Sequence, residues 1–306
     1  MHLLPRSAIL LTCPQGMAPF LADEVRALGF AAEPLKAGVL TSGTPADCMG
    51  FNLHLRTAHR VLYEVWRGKA FDSDALYAAA RALPWEKWFA PGAPFTVSSS
   101  VRNESVRDSR FPNLRLKDAI ADRFREATGA RPDSGRERDA ASVFLHWRGN
   151  AATVYLDTSG EPLARRGYRL EPHKAPMQET LAAACLLALG YDPELPLVNP
   201  MCGSGTLAVE AALMATRTAP GLLREDFAFR SLQGFDEDAW RAMRTQARRA
   251  MRPAPAPIVA TDLDPRAVAA TFANADRAGM AEFISVTACD FSATPLPSAA
   301  PAQGGL

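Results

Sequence analysis

The sequence is short of the features that identify a protein quickly. Its five cysteines, at positions 13, 48, 185, 202 and 289, are scattered, with no Cys-x-x-Cys pair and no Cys/His ligand spacing. That excludes a zinc site or a disulfide framework as the organising principle, and it suits a reducing, cytoplasmic compartment. No apolar run approaches the ~18 residues that a membrane span needs. The apolar stretch near the start lacks a basic lead-in and a small-residue cleavage site, so it reads as a first strand rather than a signal peptide. There is no internal repeat, no low-complexity tract and no excess of one charge: 34 basic against 33 acidic residues leaves a net charge of +1.

What is there is ordinary in total and informative in distribution. A chain of 306 residues, 48% hydrophobic and 22% charged, is long enough for about two domains of ~150 residues and for a sizeable core without staples. Residues 1–44 carry 3 basic and 3 acidic groups, residues 45–175 carry 21 and 16, and residues 176–306 carry 10 and 14. A basic front and an acidic rear hint at a nucleic-acid-facing part joined to a part with another task.

Periodicity divides the chain in the same way. Up to about residue 160 the pattern is of short mixed elements. Strands are expected at 7–13, 39–41, 61–66, 95–101, 142–147 and 151–156, and helices at 19–28, 52–59, 73–82 and 116–128. Residues 102–113 read as an Arg-rich loop, and Arg148-Gly149-Asn150 as a hairpin turn. From residue 176 strands at 197–198, 258–260 and 284–288 alternate with helices at 178–189, 206–216, 236–251 and 265–278. Such alternation predicts a parallel sheet with crossover helices.

The sharpest motif is Leu197-Val-Asn-Pro-Met-Cys-Gly-Ser-Gly-Thr-Leu-Ala208, an apolar strand running through a glycine turn into a helix. Glycines let the backbone take φ > 0 and approach a ligand closely, and the free N–H groups at the helix start favour an electron-rich group. No Lys follows the second glycine, so this is not a P-loop. Gly203-x-Gly205-x-x-Ala208 is a loose dinucleotide fingerprint, which alone would also fit a nicotinamide oxidoreductase. The acid at the end of the next strand is Asp262, and Asp290 follows the strand after that. Ligands of open α/β sheets bind outside those strand ends. Asp264 before Pro265 reads as a helix cap.

Asn199-Pro-Met-Cys-Gly-Ser-Gly-Thr206 resembles motif I of class I S-adenosylmethionine (SAM) methyltransferases, in the form used by RNA guanine-N2 methyltransferases. Thr261-Asp-Leu-Asp-Pro-Arg266 resembles the following acidic motif and Ala288-Cys-Asp290 the adenine-proximal acid. Arg166-Gly-Tyr-Arg169 and Ala175-Pro-Met-Gln-Glu-Thr-Leu-Ala182 resemble the entry into the same domain. Residues ~50–158 are similar to a THUMP domain, an RNA-binding module, with a ferredoxin-like segment before it.

The resemblance is to the bacterial THUMP-containing 23S rRNA guanine-N2 methyltransferases and covers nearly the whole chain. It implies an α/β chain whose N-terminal α+β ferredoxin-like/THUMP region is followed by an incomplete Rossmann-like parallel sheet. The implied division is 1–49 ferredoxin-like, 50–158 THUMP and 159–306 methyltransferase. It implies SAM as cofactor. Gly203, Ser204 and Gly205 would lie at its methionine end, with Glu179 and Thr180 walling that pocket. Asp262 would hold the ribose hydroxyls and Asp290 the adenine amino group. Asn199, Cys202 and Thr206 complete the turn, with no nucleophilic role for Cys202.

Two departures from the family pattern stand out. Asn199 occupies a position that is usually Asp, which removes a negative charge near the sulfonium. The catalytic Asn/Asp-Pro-Pro-Tyr motif does not occur in the 306 residues; Gln303-Gly-Gly-Leu306 stands where its strand would begin. No catalytic residue is therefore assigned, and the chain is expected to be a truncation of a longer enzyme, with a non-catalytic RNA-binding protein as the alternative.

For RNA contact the candidates are Arg102, Arg107, Arg110, Arg115, Lys117, Arg123 and Arg125 in one cluster. Arg165, Arg166, Arg169 and Lys174 form a second. Phosphate contacts by such groups give salt-dependent affinity. Seven acids lie among the ten basic residues of 100–138, which favours a solvated face instead. Trp85, Trp88 and Trp147 read as packing residues rather than base-stacking platforms.

Overall fold

The computed structural model describes residues 5–90, 92–104, 106, 108, 110–129, 140–169 and 176–297. In chain order the first region holds β1 (Ser7–Thr12), α1 (Ala18–Ala27), β2 (Glu33–Leu35), β3 (Gly38–Gly43) and α2 (Pro45–His54). It continues through β4 (Arg60–Lys69), α3 (Ser73–Arg81), β5 (Phe95–Arg102), α4 (Arg110–Thr128), β6 (Ala141–Arg148) and β7 (Ala151–Asp157). The second region holds α5 (Glu179–Ala188), β8 (Leu197–Asn199), α6 (Thr206–Ala215), α7 (Glu237–Arg249), β9 (Ile258–Asp262), α8 (Pro265–Arg277) and β10 (Ile284–Ala288).

The strands of the first region form one seven-stranded sheet in the order β2-β3-β1-β4-β7-β6-β5, antiparallel except where β5 pairs with β6. The sheet runs without a break across residue 49, which lies inside α2. Alternation explains its packed face: Ile9 and Leu11 of β1, Val61 and Tyr63 of β4, Val143, Leu145 and Trp147 of β6 are all buried. Burying a Val, Leu or Ile contributes roughly 1.5–3 kcal/mol each. The three tryptophans are packing residues, as expected. Trp85 and Trp147 are fully buried, with indole N–H groups donating to Ala80 O (2.7 Å) and Ala70 O (3.1 Å).

Local chemistry moved two boundaries. The helix expected at 52–59 lies at Pro45–His54 because Thr44 and Asp47 form a capping box. The Asp47 N–H donates to Thr44 Oγ1, while the Thr44 N–H donates to Asp47 Oδ2. α4 starts at Arg110, inside the expected loop, where Asp108 accepts from the Arg110 N–H at 2.9 Å. Pro112 is tolerated there because the first helical turn has no intrahelical donors to lose. The short edge strand Glu33–Leu35 was not expected; all three of its residues are exposed, so it carries no alternation signal.

The second sheet is parallel throughout, in the order β10-β9-β8, with Asn199 opposite Ala260 and Asp262 opposite Ala288. Its core is small-residue rich, with Ala208, Val209, Ala212, Leu213, Ile258, Ala260 and Ile284 buried. The stretch between α6 and β9 packs elsewhere. Phe227, Phe229 and Trp240 join the core of the first region, the two phenyl rings stacked and the indole edge-on to both, with centroids 4.9–5.5 Å apart. That excursion joins the two regions.

Candidate cofactor site

β8 ends at Asn199, half-buried, and the chain turns through Met201–Gly205 into α6. The turn is pinned at both ends. The Cys202 N–H donates to Thr261 O (2.9 Å), the Gly205 N–H to Cys202 O (2.8 Å), and the Gly203 N–H to Asp262 Oδ2 (3.0 Å). Helix α8 closes it from the side: Thr271 Oγ1 donates to Gly203 O (3.0 Å) and Asn274 Nδ2 to Ser204 O (3.0 Å).

Both glycines have positive φ, +57° at Gly203 and +77° at Gly205. At Gly205 a Cβ would lie 2.5 Å from Thr271 Cγ2, so that glycine is required by packing. At Gly203 a Cβ would meet nothing within 4 Å, leaving open space beside the turn.

Asp262 sits at the end of β9. Its Oδ1 accepts from the Asp264 N–H (3.0 Å) and its Oδ2 from the Gly203 N–H. Each oxygen keeps a second lone pair, which a ribose hydroxyl can use. Asp290 is exposed two residues past β10, and the Ser292 hydroxyl and N–H hold its carboxyl below the usual range. Glu179 and Thr180 open α5 and are buried. Burial pushes the Glu179 carboxyl up, while Arg169 at 3.2 Å pulls it back. The Thr206 hydroxyl accepts from Arg169 Nη2 (3.2 Å). Cys202 is buried against Thr271 Oγ1 (3.3 Å), and burial pushes its thiol up, which disfavours the nucleophilic thiolate. A glycine turn with open space beside it, a strand-end carboxylate with spare lone pairs and a guanidinium at the helix start fit the parts of SAM.

The basic candidates fare unevenly. Arg166 is not a surface residue. Its guanidinium donates to Arg56 O and Leu163 O and lies 3.5 Å from Glu210, with its side chain 2% exposed, so phosphate contact there is excluded by enclosure. Arg115 pairs with Asp74 and stacks on Tyr77, and Arg123 grips Glu86. Arg110 pairs with Asp108, Arg125 with Asp122 and Arg165 with Glu161. These charges are neutralised locally. Lys117 is half-buried on α4. Arg107 and Lys174 lie outside the described residues. Arg102 is exposed and forms no ion pair among the described residues.

Sequence reasoning missed its neighbours. Arg148 pairs across β5–β6 with Arg102, and both line a groove of about 370 Å³ with Lys36, Gln15 and His146. Neither Arg148 nor Lys36 has an acidic partner among the described residues. Partial burial, together with Arg148 and Arg67, holds His146 below the usual histidine range. Arg148 was read only as a turn residue; its parallel register with Arg102 has no local signature.

A strand–glycine turn–helix with acids at successive parallel strand ends is the Rossmann-like arrangement that class I SAM-dependent methyltransferase domains share with other nucleotide-binding folds. Three family models match the chain: the RlmL ferredoxin-like domain over 8–62, the THUMP domain over 70–157, and the RMKL-like methyltransferase domain over 166–301. The chain thus carries matches to ferredoxin-like, THUMP and methyltransferase domains, and SAM is the cofactor that the methyltransferase domain implies.

It is 37% identical, over 96% of its length, to ribosomal RNA large subunit methyltransferase K/L of Syntrophotalea carbinolica, of which it spans 42%. It thus spans about two fifths of the length of the curated relatives it matches. A predicted N6-adenine-specific DNA methylase from Listeria monocytogenes superposes with TM-score 0.86 at 28% identity, covering 95% of this chain and 77% of that one. The structure of SMU.472 complexed with SAH (S-adenosylhomocysteine) gives TM-score 0.87 at 27% identity, covering 96% and 78%.

Proposed function

We propose that this chain is the cofactor- and RNA-holding part of a SAM-dependent rRNA methyltransferase acting on N2 of a guanine in 23S rRNA. The observation that carries the reading is the Gly203–Gly205 turn tied to Asp262, in a chain whose relatives are named for large-subunit rRNA. In this proposal Gly203, Ser204, Gly205 and Thr206 face the methionine end, Asp262 the ribose and Asp290 the adenine. The division is 1–49, 50–158 and 159–306, and the first two segments share one sheet. The methyl-accepting base would be aligned by the Asn/Asp-Pro-Pro-Tyr motif of the family, which these 306 residues do not contain.

Deleting the gene should remove one N2-methylguanosine from 23S rRNA, read by nucleoside mass spectrometry, and complementation should restore it. Loss of N6-methyladenine from DNA with intact rRNA would favour the activity in the Listeria relative's name instead. Calorimetry should show SAH binding that Asp262→Ala weakens at least tenfold.

The RNA face supported best is the Lys36, Arg102 and Arg148 groove rather than α4. Its cations have no acidic partners to displace among the described residues, so phosphate contact there costs least.

A further inference from the structure

The acidic half of the chain hides a basic segment. Of the ten basic and fourteen acidic residues in 176–306, eight basic and only five acidic ones fall in 217–252, the excursion between α6 and β9. That excursion leaves the cofactor sheet: Phe227, Phe229 and Trp240 anchor it in the core of the first region, and the Gln233 N–H donates to Trp88 O (2.7 Å). The fold thus carries cations encoded beside the cofactor motifs onto the region that matches the THUMP domain. Helix α7 displays them. Its acids lie in its first turn, and Arg241, Arg244 and Arg248 follow at three- and four-residue intervals, a row about 10 Å long. With Arg230 they line a groove of about 310 Å³ whose acids are Glu225 and Glu237. The negative helix C-terminus accounts for a basic last turn, but not for Arg241 and Arg244 in mid-helix, nor for Arg230 from the preceding turn. Arg244 lies over the Trp240 ring (5.5 Å to the centroid) and donates to Arg224 O (3.0 Å) and Leu222 O (3.2 Å). Those carbonyls fix the guanidinium without cancelling its charge. Burial, then Arg248 and Arg230, hold its pKa down, with Glu225 and Glu237 opposing. Arg230 shares Glu237 (3.4 Å) and Arg241 meets Asp238 (3.3 Å), whereas exposed Arg248 has no ion pair among the described residues. Like charges at this spacing destabilise a helix, and an anion between them relieves it.

We propose that the α7 groove binds the phosphate backbone of the substrate RNA, as a second contact apart from the Lys36, Arg102 and Arg148 groove. The proposal rests on the RNA-substrate reading and deepens it, by giving the catalytic segment its own hold on the RNA. Guanidinium forks suit phosphate because each takes two oxygens at once. A row of them along one helix face suits successive phosphates of one strand. Trp240, the aromatic residue of the groove, is buried and offers no face to a base. The groove therefore positions RNA and reads no sequence.

The test is titration of the chain against a 23S rRNA fragment at several salt concentrations, read by fluorescence anisotropy. Arg241→Gln with Arg248→Gln should weaken binding at least fivefold and reduce the slope of log K against log[salt] by about 1.4–1.8. Arg248→Lys, which keeps the charge, should keep the slope. Arg277→Gln removes a cation at the end of α8 that is also exposed and without an ion pair among the described residues; it should change neither affinity nor slope. Both α7 side chains are exposed, so the urea midpoint of the double variant should match the native one, which separates a lost contact from a lost fold. A slope that falls with Arg102→Gln but not with the α7 pair would overturn the proposal and leave the RNA reading standing. An equal loss with Arg277→Gln would overturn it too, by making net charge the whole effect. Poly-L-glutamate should bind at least tenfold more weakly than the RNA; equal binding, lost in the same α7 variant, would assign the groove to an acidic protein instead. A native chain that binds no RNA at micromolar concentration overturns the RNA reading and the proposal with it, a distinguishable failure.

Discussion

At the scale of single residues, the two glycines of the cofactor turn look equivalent in the sequence and are not equivalent in space. Both need positive φ, which costs a substituted residue about 1–2 kcal/mol. Only Gly205 also has Thr271 packed where a side chain would start. Gly203→Ala should therefore lower the unfolding free energy by about 1–2 kcal/mol, and Gly205→Ala by clearly more, measured by urea denaturation. Equal losses would mean that α8 yields at Thr271.

His59 supplies a second residue-scale prediction. Burial first, then Arg60 and Arg166, hold its pKa below the usual histidine value. A depressed pKa means that the unfolded chain binds the proton more readily. The stability His59 contributes is complete above its unfolded pKa of about 6.5 and is lost as pH falls through the lower folded value. His59→Asn should flatten the decline in denaturation midpoint between pH 7 and pH 5. Working in one background isolates this histidine from Glu24 and Asp157, whose raised carboxyl values act in the opposite sense.

At the scale of elements, α4 shows how a basic helix can be uninformative about binding. Its arginines are spent on Asp74, Glu86 and Asp122 of α3, the following turn and α4 itself. Exposed pairs of this kind contribute roughly 0.2–1 kcal/mol each, so they orient the helix more than they stabilise it. The β5–β6 pair does the reverse: it brings Arg102 and Arg148 side by side with no acidic partner among the described residues. Arg102→Gln and Arg148→Gln should each weaken binding to a 23S rRNA fragment. Each should also reduce the slope of log K against log[salt] by about one unit or slightly less. Arg123→Gln should leave the slope unchanged. A slope that falls only with Arg123→Gln would return the interface to α4.

At the scale of the whole molecule, the two regions are joined by buried charge. Arg56 reaches from the first region to Leu213 O and Thr218 O of the second. Arg166 and Tyr168 in the connecting segment converge on Glu210 of α6, the helix that starts at the cofactor turn. Arg224, its pKa pushed down to about 10 by burial, donates to Ser159, Glu161 and Pro162 carbonyls. Removing one partner of a buried pair leaves the other charge enclosed and costs roughly 3–5 kcal/mol. Arg166→Ala should thus lower global stability by about that much, and a single denaturation transition by fluorescence and circular dichroism should split into two. A loss under 1 kcal/mol with one transition would mean the junction is held by the Phe227–Trp240 cluster alone.

The sequence by itself determined the local elements with strong signals and the cofactor turn. Gly203, Gly205, Asp262 and Asp290 stood out because the strand–turn–helix alternation and the acids after strands are written within a few residues of each other. The parallel small sheet followed from that alternation, and the buried tryptophans from their apolar settings. Tertiary structure decided everything that depends on partners distant in the chain. It turned Arg166 from a surface candidate into a buried strut through Glu210, forty-four residues on. It placed Arg169 beside the cofactor turn through Thr206, and it brought Arg102 and Arg148 together by register. The physical reason is the same each time. A charged side chain carries no periodicity that tells solvent from a buried partner, because its role is set by which oppositely charged group the fold places within about 4 Å of it.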